Sequence, residues 1–259
     1  MADTSRHILG SYDAALKELE NDLLLMASHC EHIMRNSVGC LFNRDEELCN
    51  LTIADDEEID QLEKQVDKNG IELLRRFQPV ASDLRHVIAV MKLSGNLERI
   101  ADQAVNIAKK ARKLNRAPLL PEVHFLDAMY REVIAMLSDV LRSFTESNID
   151  LAIGLYARDK KLDAMNHEIA ETLTTQMVKH PDRITEYLEL IFIARHLERA
   201  GDHVKNIAED VVYAIAAEDI RHLGPRRPDS AAALLGEKPA EAPAPSEPAE
   251  TKLDNGLAS

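Results

Sequence analysis

The chain has 259 residues, 45% of them hydrophobic, enough to bury one large core or two of ordinary domain size. Its formal net charge of −14 argues against nucleic-acid binding, which needs a basic stripe to neutralise phosphates, and favours cations or basic partners. Trp is absent and aromatics make up 4%, while Ala, Leu, Glu, Asp and Lys dominate, so the composition favours helix over strand.

Met1 to Gly10 ("MADTSRHILG") lacks the continuous apolar stretch of a signal peptide, and nowhere do 18 apolar residues run together. The expectation is a cytoplasmic protein with no membrane-spanning segment. A first long helix is predicted from about Thr4, a suitable N-cap, to about Phe42, with Leu16, Leu19, Leu23, Met26 and Cys30 spaced by three or four. Cys30, Cys40 and Cys49 are odd in number and wrongly spaced for a disulfide framework or a CxxC zinc site, so they read as reduced, buried thiols. The "HCEH" at 29–32 fits helix surface passing into core better than a zinc fragment.

A second helix is predicted from about Asp45 to Phe77. A third follows the "QPVASDLR" turn, where Ser82 or Asp83 helps cap the start, and runs to about Asn115. After "RAPLLP" the scheme begins again, with helices near 122–146, near 148–179, and from about Asp182 to His222. A helix of 30 to 40 residues cannot bury its apolar stripe alone, so each trio should close as an antiparallel bundle. The fold expected is all-α: two tandem three-helix bundles, 1–116 and 117–223. Residues 224–259 turn to Pro, Ala and Glu, with too little apolar surface to offset ordering, and are expected to form a disordered tail.

The two trios are an internal duplication. "NLERIADQAVNIA" at 96–108 and "HLERAGDHVKNIA" at 196–208 agree at seven of thirteen positions. In each, a glutamate and an aspartate stand one helical turn apart at the edge of the apolar face: Glu98 with Asp102, and Glu198 with Asp202. Like charges at i and i+4 repel, and a cation between them offsets that repulsion. The preceding helix of each half carries another such pair, Asp56 with Asp60 and Asp159 with Asp163, aligned at an offset of 103 rather than 100.

Within an antiparallel bundle the two pairs can face each other, gathering four carboxylates per half into two equivalent clusters. Oxygen-only ligands suit hard cations such as Mg²⁺, Mn²⁺, Ca²⁺ or iron, with Zn²⁺ less specific. The competing reading is a solvated acidic face, since 45 acids on long helices produce this spacing by accident; Glu63 and Asp67 fit it with no assigned role. A ferritin-like di-iron site is disfavoured, because the chain has no Glu-x-x-His. Arg99 and Arg199 follow each motif glutamate, positioned to hold an anion or to face solvent. No Gly-rich phosphate loop, nucleophile elbow or Cys/His dyad is present, so no catalytic constellation emerges.

The duplicated acidic helices, the "RFQPVASDLR" turn and the three-plus-three layout together resemble the PhoU family, accessory proteins of phosphate-specific transport systems, over about residues 4–222. The resemblance implies a cytoplasmic homodimer that binds metal ions or clusters, Mg, Mn, Fe or Zn being open, at Asp56, Asp60, Glu98, Asp102, Asp159, Asp163, Glu198 and Asp202. It also implies a non-catalytic regulator that couples the phosphate ABC transporter, through its ATPase subunit, to a membrane sensor histidine kinase. Such a protein restrains phosphate uptake and the phosphate-starvation response, meeting the membrane only through its partners and binding no nucleic acid. The alternative from another class is a metal-dependent hydrolase or metal-storage protein using the same carboxylates. The second-half turn, "KHPDRITE", departs from "QPVASDLR", so the halves are expected to be alike in fold only, with no common partner assigned to their two ends.

Overall fold

The computed structural model describes residues 2–221 and 230–234, the side chains of 2–9, 231 and 232 aside. Every long element is a helix, and the four body prolines fall between helices or at their starts. In chain order these are α1 (Ala2–Phe42), α2 (Glu46–Ala54), α3 (Asp56–Phe77), α4 (Ala81–Asn115), α5 (Phe125–Thr145), α6 (Ile149–Lys179), α7 (Ile184–Ala216) and a single turn, α8 (Ala231–Leu234). Short 3-10 turns, Pro121–His124 and Pro181–Arg183, lead into α5 and α7.

The predicted second helix is interrupted. It breaks at Asp55, giving α2 and α3, although neither proline nor glycine lies there. The reason is local charge: Asp55 to Glu58 are four consecutive acids, unfavourable inside a helix but stabilised by the positive dipole of a new N-terminus. Just before the break, the Thr52 hydroxyl donates back to the Leu48 carbonyl at 2.7 Å, a bond that bends helices.

Two end predictions also change. Neither Ser82 nor Asp83 caps α4 through its side chain; Val80 is the N-cap residue, and Gln78 and Ala81 turn the chain with positive φ, both 49°. The last helix stops at Ala216, where Ala217 adopts the left-handed conformation and its N–H closes on the Tyr213 carbonyl; His222 lies outside the described residues. Elsewhere the caps use ordinary chemistry. Asp45 accepts from Leu48 N–H at 2.9 Å and Asn148 from Leu151 N–H at 3.1 Å.

Helices α1 to α4 form the first bundle, whose core is the α1 stripe Leu19, Leu23, Met26, Cys30, Ile33 and Met34 against Val90, Leu93, Leu97 and Ile100 of α4. All three cysteines are free and buried, as expected. Helices α5 to α7 form the second bundle around Met129, Val133, Met136, Leu162, Leu190 and Leu197. The halves meet along α4 and α7, the most extensive helix pair of the molecule. Lys92 on α4 stands 2.8 Å from Asp210 on α7, and Lys110 and Lys113 stand 2.9 and 3.1 Å from Glu189. His196 of α7 donates through Nδ1 to Gln103 of α4 at 2.9 Å.

Of the tail predicted to be disordered, Ser230 to Leu234 form one helical turn whose Leu234 packs against the core beside α6. The remainder, 224–229 and 235–259, lies outside the described residues.

Candidate metal centre

The acidic pairs are gathered by helix packing, as expected. Helix α3 lies on α4 and α6 lies on α7, so in each half the pair on the middle helix faces the pair on the last. In the second half a glycine lies at this contact: a Cβ at Gly201, next to Asp202, would stand 2.2 Å from Leu162 Cδ2 on α6.

The first half brings Asp56, Asp60, Glu98 and Asp102 into mutual electrostatic contact, and a fifth acid, Glu63, joins them. Burial, then Asp102, Glu63 and Asp60, push the Glu98 carboxyl up to about 7, with Arg99 opposing. Asp56 is raised by burial, Asp102 and Asp60; Glu63 by burial, Asp67 and Asp60. Lys64, 4.0 Å from Asp60 at an exposed edge, also pulls on Glu63, and Lys109 pulls on Asp56, but neither makes a close ion pair with two of these carboxylates.

The second half differs, so the expectation of two equivalent clusters fails. Asp159, Asp163, Glu198 and Asp202 are again neighbours. Lys205, however, stands between them, its Nζ donating to Asp159 Oδ2 and Asp202 Oδ1, both at 2.7 Å. Burial opposes the ammonium, but the two aspartates outweigh it and hold the Lys205 pKa above its ordinary value. Asp159 is the buried member, and its carboxyl is raised by burial against the pull of Lys205. The repeat counterpart of Lys205 is Val105, an apolar core residue.

The i, i+4 spacing of Glu63 to Asp67 does not by itself set Glu63 apart from accidental acidic pairs. The available signal was Asp56, Asp60 and Glu63 at i, i+4 and i+7, one helical face. Lys205 was legible as the one charged-for-apolar exchange beside the motif aspartate, but its reach across to α6 was not.

The donor set of the first cluster, carboxylate oxygens alone, suits a hard cation. Its mutual repulsion, offset by no bridging ammonium, is the physical feature a cation would relieve. Among the described residues no three His, Cys, Asp or Glu side chains converge on one point, so a cation there requires the carboxylates to rotate inward.

In metal-free protein the raised Glu98 has a pH signature. Between its ordinary value of 4.5 and about 7 the folded state holds a proton that the unfolded chain has released, so stability falls as pH rises through that window. Glu98→Gln is expected to flatten this slope and, at pH 8 in a chelating buffer, to raise stability by about 1–2 kcal/mol after solvent screening is discounted. Urea unfolding of both proteins at pH 5 and pH 8 checks it.

An all-helical, internally duplicated pair of bundles with acidic clusters along its helix seams defines a narrow class of protein. The family model for the PhoU domain matches residues 23–111 and again 126–211, one copy per bundle. The chain belongs to the PhoU family. It is 33% identical over 220 residues to the phosphate-specific transport system accessory protein PhoU of Serratia marcescens, covering 85% of this chain and 90% of that one. To the Escherichia coli K12 protein of the same name it is 32% identical, covering 85% and 91%. The crystal structure of PhoU from Pseudomonas aeruginosa superposes with a TM-score of 0.77 at 32% identity, over 80% of this chain and all of that one. The phosphate transport system regulatory protein PhoU from Streptococcus pneumoniae gives 0.75 at 28% identity, over 81% of this chain and 99% of that one.

Proposed function

We propose that this protein is a non-catalytic regulator of phosphate homeostasis. It couples the ATPase subunit of a phosphate ABC transporter to a sensor histidine kinase, restraining phosphate uptake and the phosphate-starvation response when phosphate is plentiful. The observation that carries this reading is the family match over both bundles, joined to relatives named as accessory or regulatory proteins of phosphate transport. The same reading places the protein in the cytoplasm as a homodimer that meets the membrane through its partners; no described helix is long and apolar enough to cross a membrane. In the same reading the first cluster, Asp56, Asp60, Glu63, Glu98 and Asp102, holds a hard cation.

Deletion of the gene tests the regulatory role. In phosphate-rich medium, a reporter of phosphate-starvation transcription should rise in the deletion strain and return to the repressed level when the chain is supplied in trans. A reporter indifferent to the deletion would refute the reading.

A further inference from the structure

We propose that Lys205 is a tethered cation standing in for metal in the second cluster, so that the chain loads metal in its first half alone. The inference rests on reading the first cluster as a cation site, and it assigns the two halves different states.

Three exchanges between the repeats carry the argument, and all run in one direction. Val105 becomes Lys205, whose ammonium sits 2.7 Å from both a middle-helix and a last-helix aspartate. Glu63, a member of the first cluster, becomes Asn166 at the same offset of 103 that aligns Asp56 with Asp159. Gly95, whose Cβ position lies 3.5 Å from Glu63 Oε1, becomes Arg195, whose charge pulls against the raised carboxyl of Glu198. The second cluster thus has one carboxylate fewer and two cationic side chains more at the matching positions. Two exchanges run the other way, Lys64 to His167 and Lys109 to Glu209, but Lys64 and Lys109 stand at exposed positions and neither bridges two acids.

Lys205 also competes on favourable terms. Its side chain is 22% exposed and that of Asp159 only 9%, so the pair is partly withdrawn from water. A hydrogen bond to a charged group is worth a factor of roughly 10 to 100 in an equilibrium constant. A metal ion entering the second cluster must break two of them and leave an ammonium to find new partners, whereas entry to the first cluster requires its carboxylates to rotate inward but displaces no bridging ammonium. The side chain of Lys205 is fixed by the fold and cannot be removed by a chelator. The second cluster therefore has a permanent cation bridging two of its four carboxylates, and the first responds to the cation supply.

The test is Mn²⁺ uptake by the full-length protein, measured by equilibrium dialysis with elemental analysis, with circular dichroism confirming that each variant is helical. Wild type is expected to load one cluster. Glu98→Gln with Asp102→Asn should abolish uptake, and Glu198→Gln with Asp202→Asn should leave it unchanged. Lys205→Val should roughly double uptake, and the reverse exchange, Val105→Lys, should eliminate uptake at the first cluster. If Lys205→Val does not fold, the Glu198/Asp202 double variant still decides. A fall to half in that double variant would overturn the tethered-cation assignment while leaving the first cluster a metal site. Wild type that takes up no Mn²⁺ would overturn the cation reading of the first cluster and the assignment with it.

Discussion

Truncating Leu97 to alanine is expected to destabilise the protein by about 2–5 kcal/mol, the range for removing a fully buried leucine and leaving a partly unrelaxed cavity. Leu97 has no solvent exposure and sits on α4, which packs on α1 and α3 within its bundle and on α7 across the seam between halves. The site cannot collapse easily, because helices hem it from several sides and its own carbonyl accepts from Cys30 Sγ at 3.4 Å. For a chain of this size the loss corresponds to a fall in melting temperature of about 2–4 °C per kcal/mol. A thermal melt with less than a 2 °C change would show that the α4 core is looser than the packing described.

The second large effect is stabilisation by cation. Binding to the folded state alone adds RT ln(1 + [L]/Kd), about 2.7 kcal/mol at a hundredfold excess over Kd. That is a rise of about 5–11 °C in melting temperature. Addition of Mn²⁺ to chelator-treated protein should produce the rise and EDTA should reverse it. With Glu98→Gln and Asp102→Asn together the rise should vanish, because the relief of repulsion that drives binding has already been achieved by removing the charges. A solvated acidic face, the competing reading, would give no cation-dependent shift in either protein.

Much of this fold was legible because its signals are periodic and local. Pro79, Pro118, Pro121 and Pro181 mark the breaks, and the α1 stripe from Leu19 to Met34 repeats at helical spacing. The break at Asp55 was not legible from breakers, since the apolar periodicity continues through it; four adjacent acids decide it, a weaker and purely electrostatic signal. The positive φ values at Arg44, Gln78, Ala81, Ser147 and Ala217 were equally hidden, because no glycine announces them. Gln78, Ser147 and Ala217 close on carbonyls three or four residues back, and the turn at Arg44 is also held by bonds to a distant segment. Arg44 donates to the carbonyls of both Asn115 and Ala117 at 2.6 Å, and Asn115 donates to the Cys40 carbonyl at 3.0 Å, so the α1–α2 turn is tied to the end of α4.

The candidate site divides the same way. The i, i+4 acidic pairs are one-dimensional features, and their gathering followed from antiparallel packing alone. Which cation each cluster meets depends on side chains approaching from other positions and on the reach of the side chain concerned. Lys205 spans from α7 to α6, and neither the helix spacing nor the net charge of −14 shows that span. The duplication makes the halves look equal in sequence, and the charge at positions 63, 95 and 105 against 166, 195 and 205 makes them unequal in chemistry.

The central claim, that this chain joins a phosphate transporter to a kinase, is tested most directly by binding between purified components. The full-length protein, immobilised, should retain the transporter's ATPase subunit and, separately, the cytoplasmic part of the sensor kinase, each with saturable affinity measured by surface plasmon resonance. Retention of both is the result expected. Absence of binding to either, in Mn²⁺ and in EDTA alike, with the helical fold intact by circular dichroism, would contradict it.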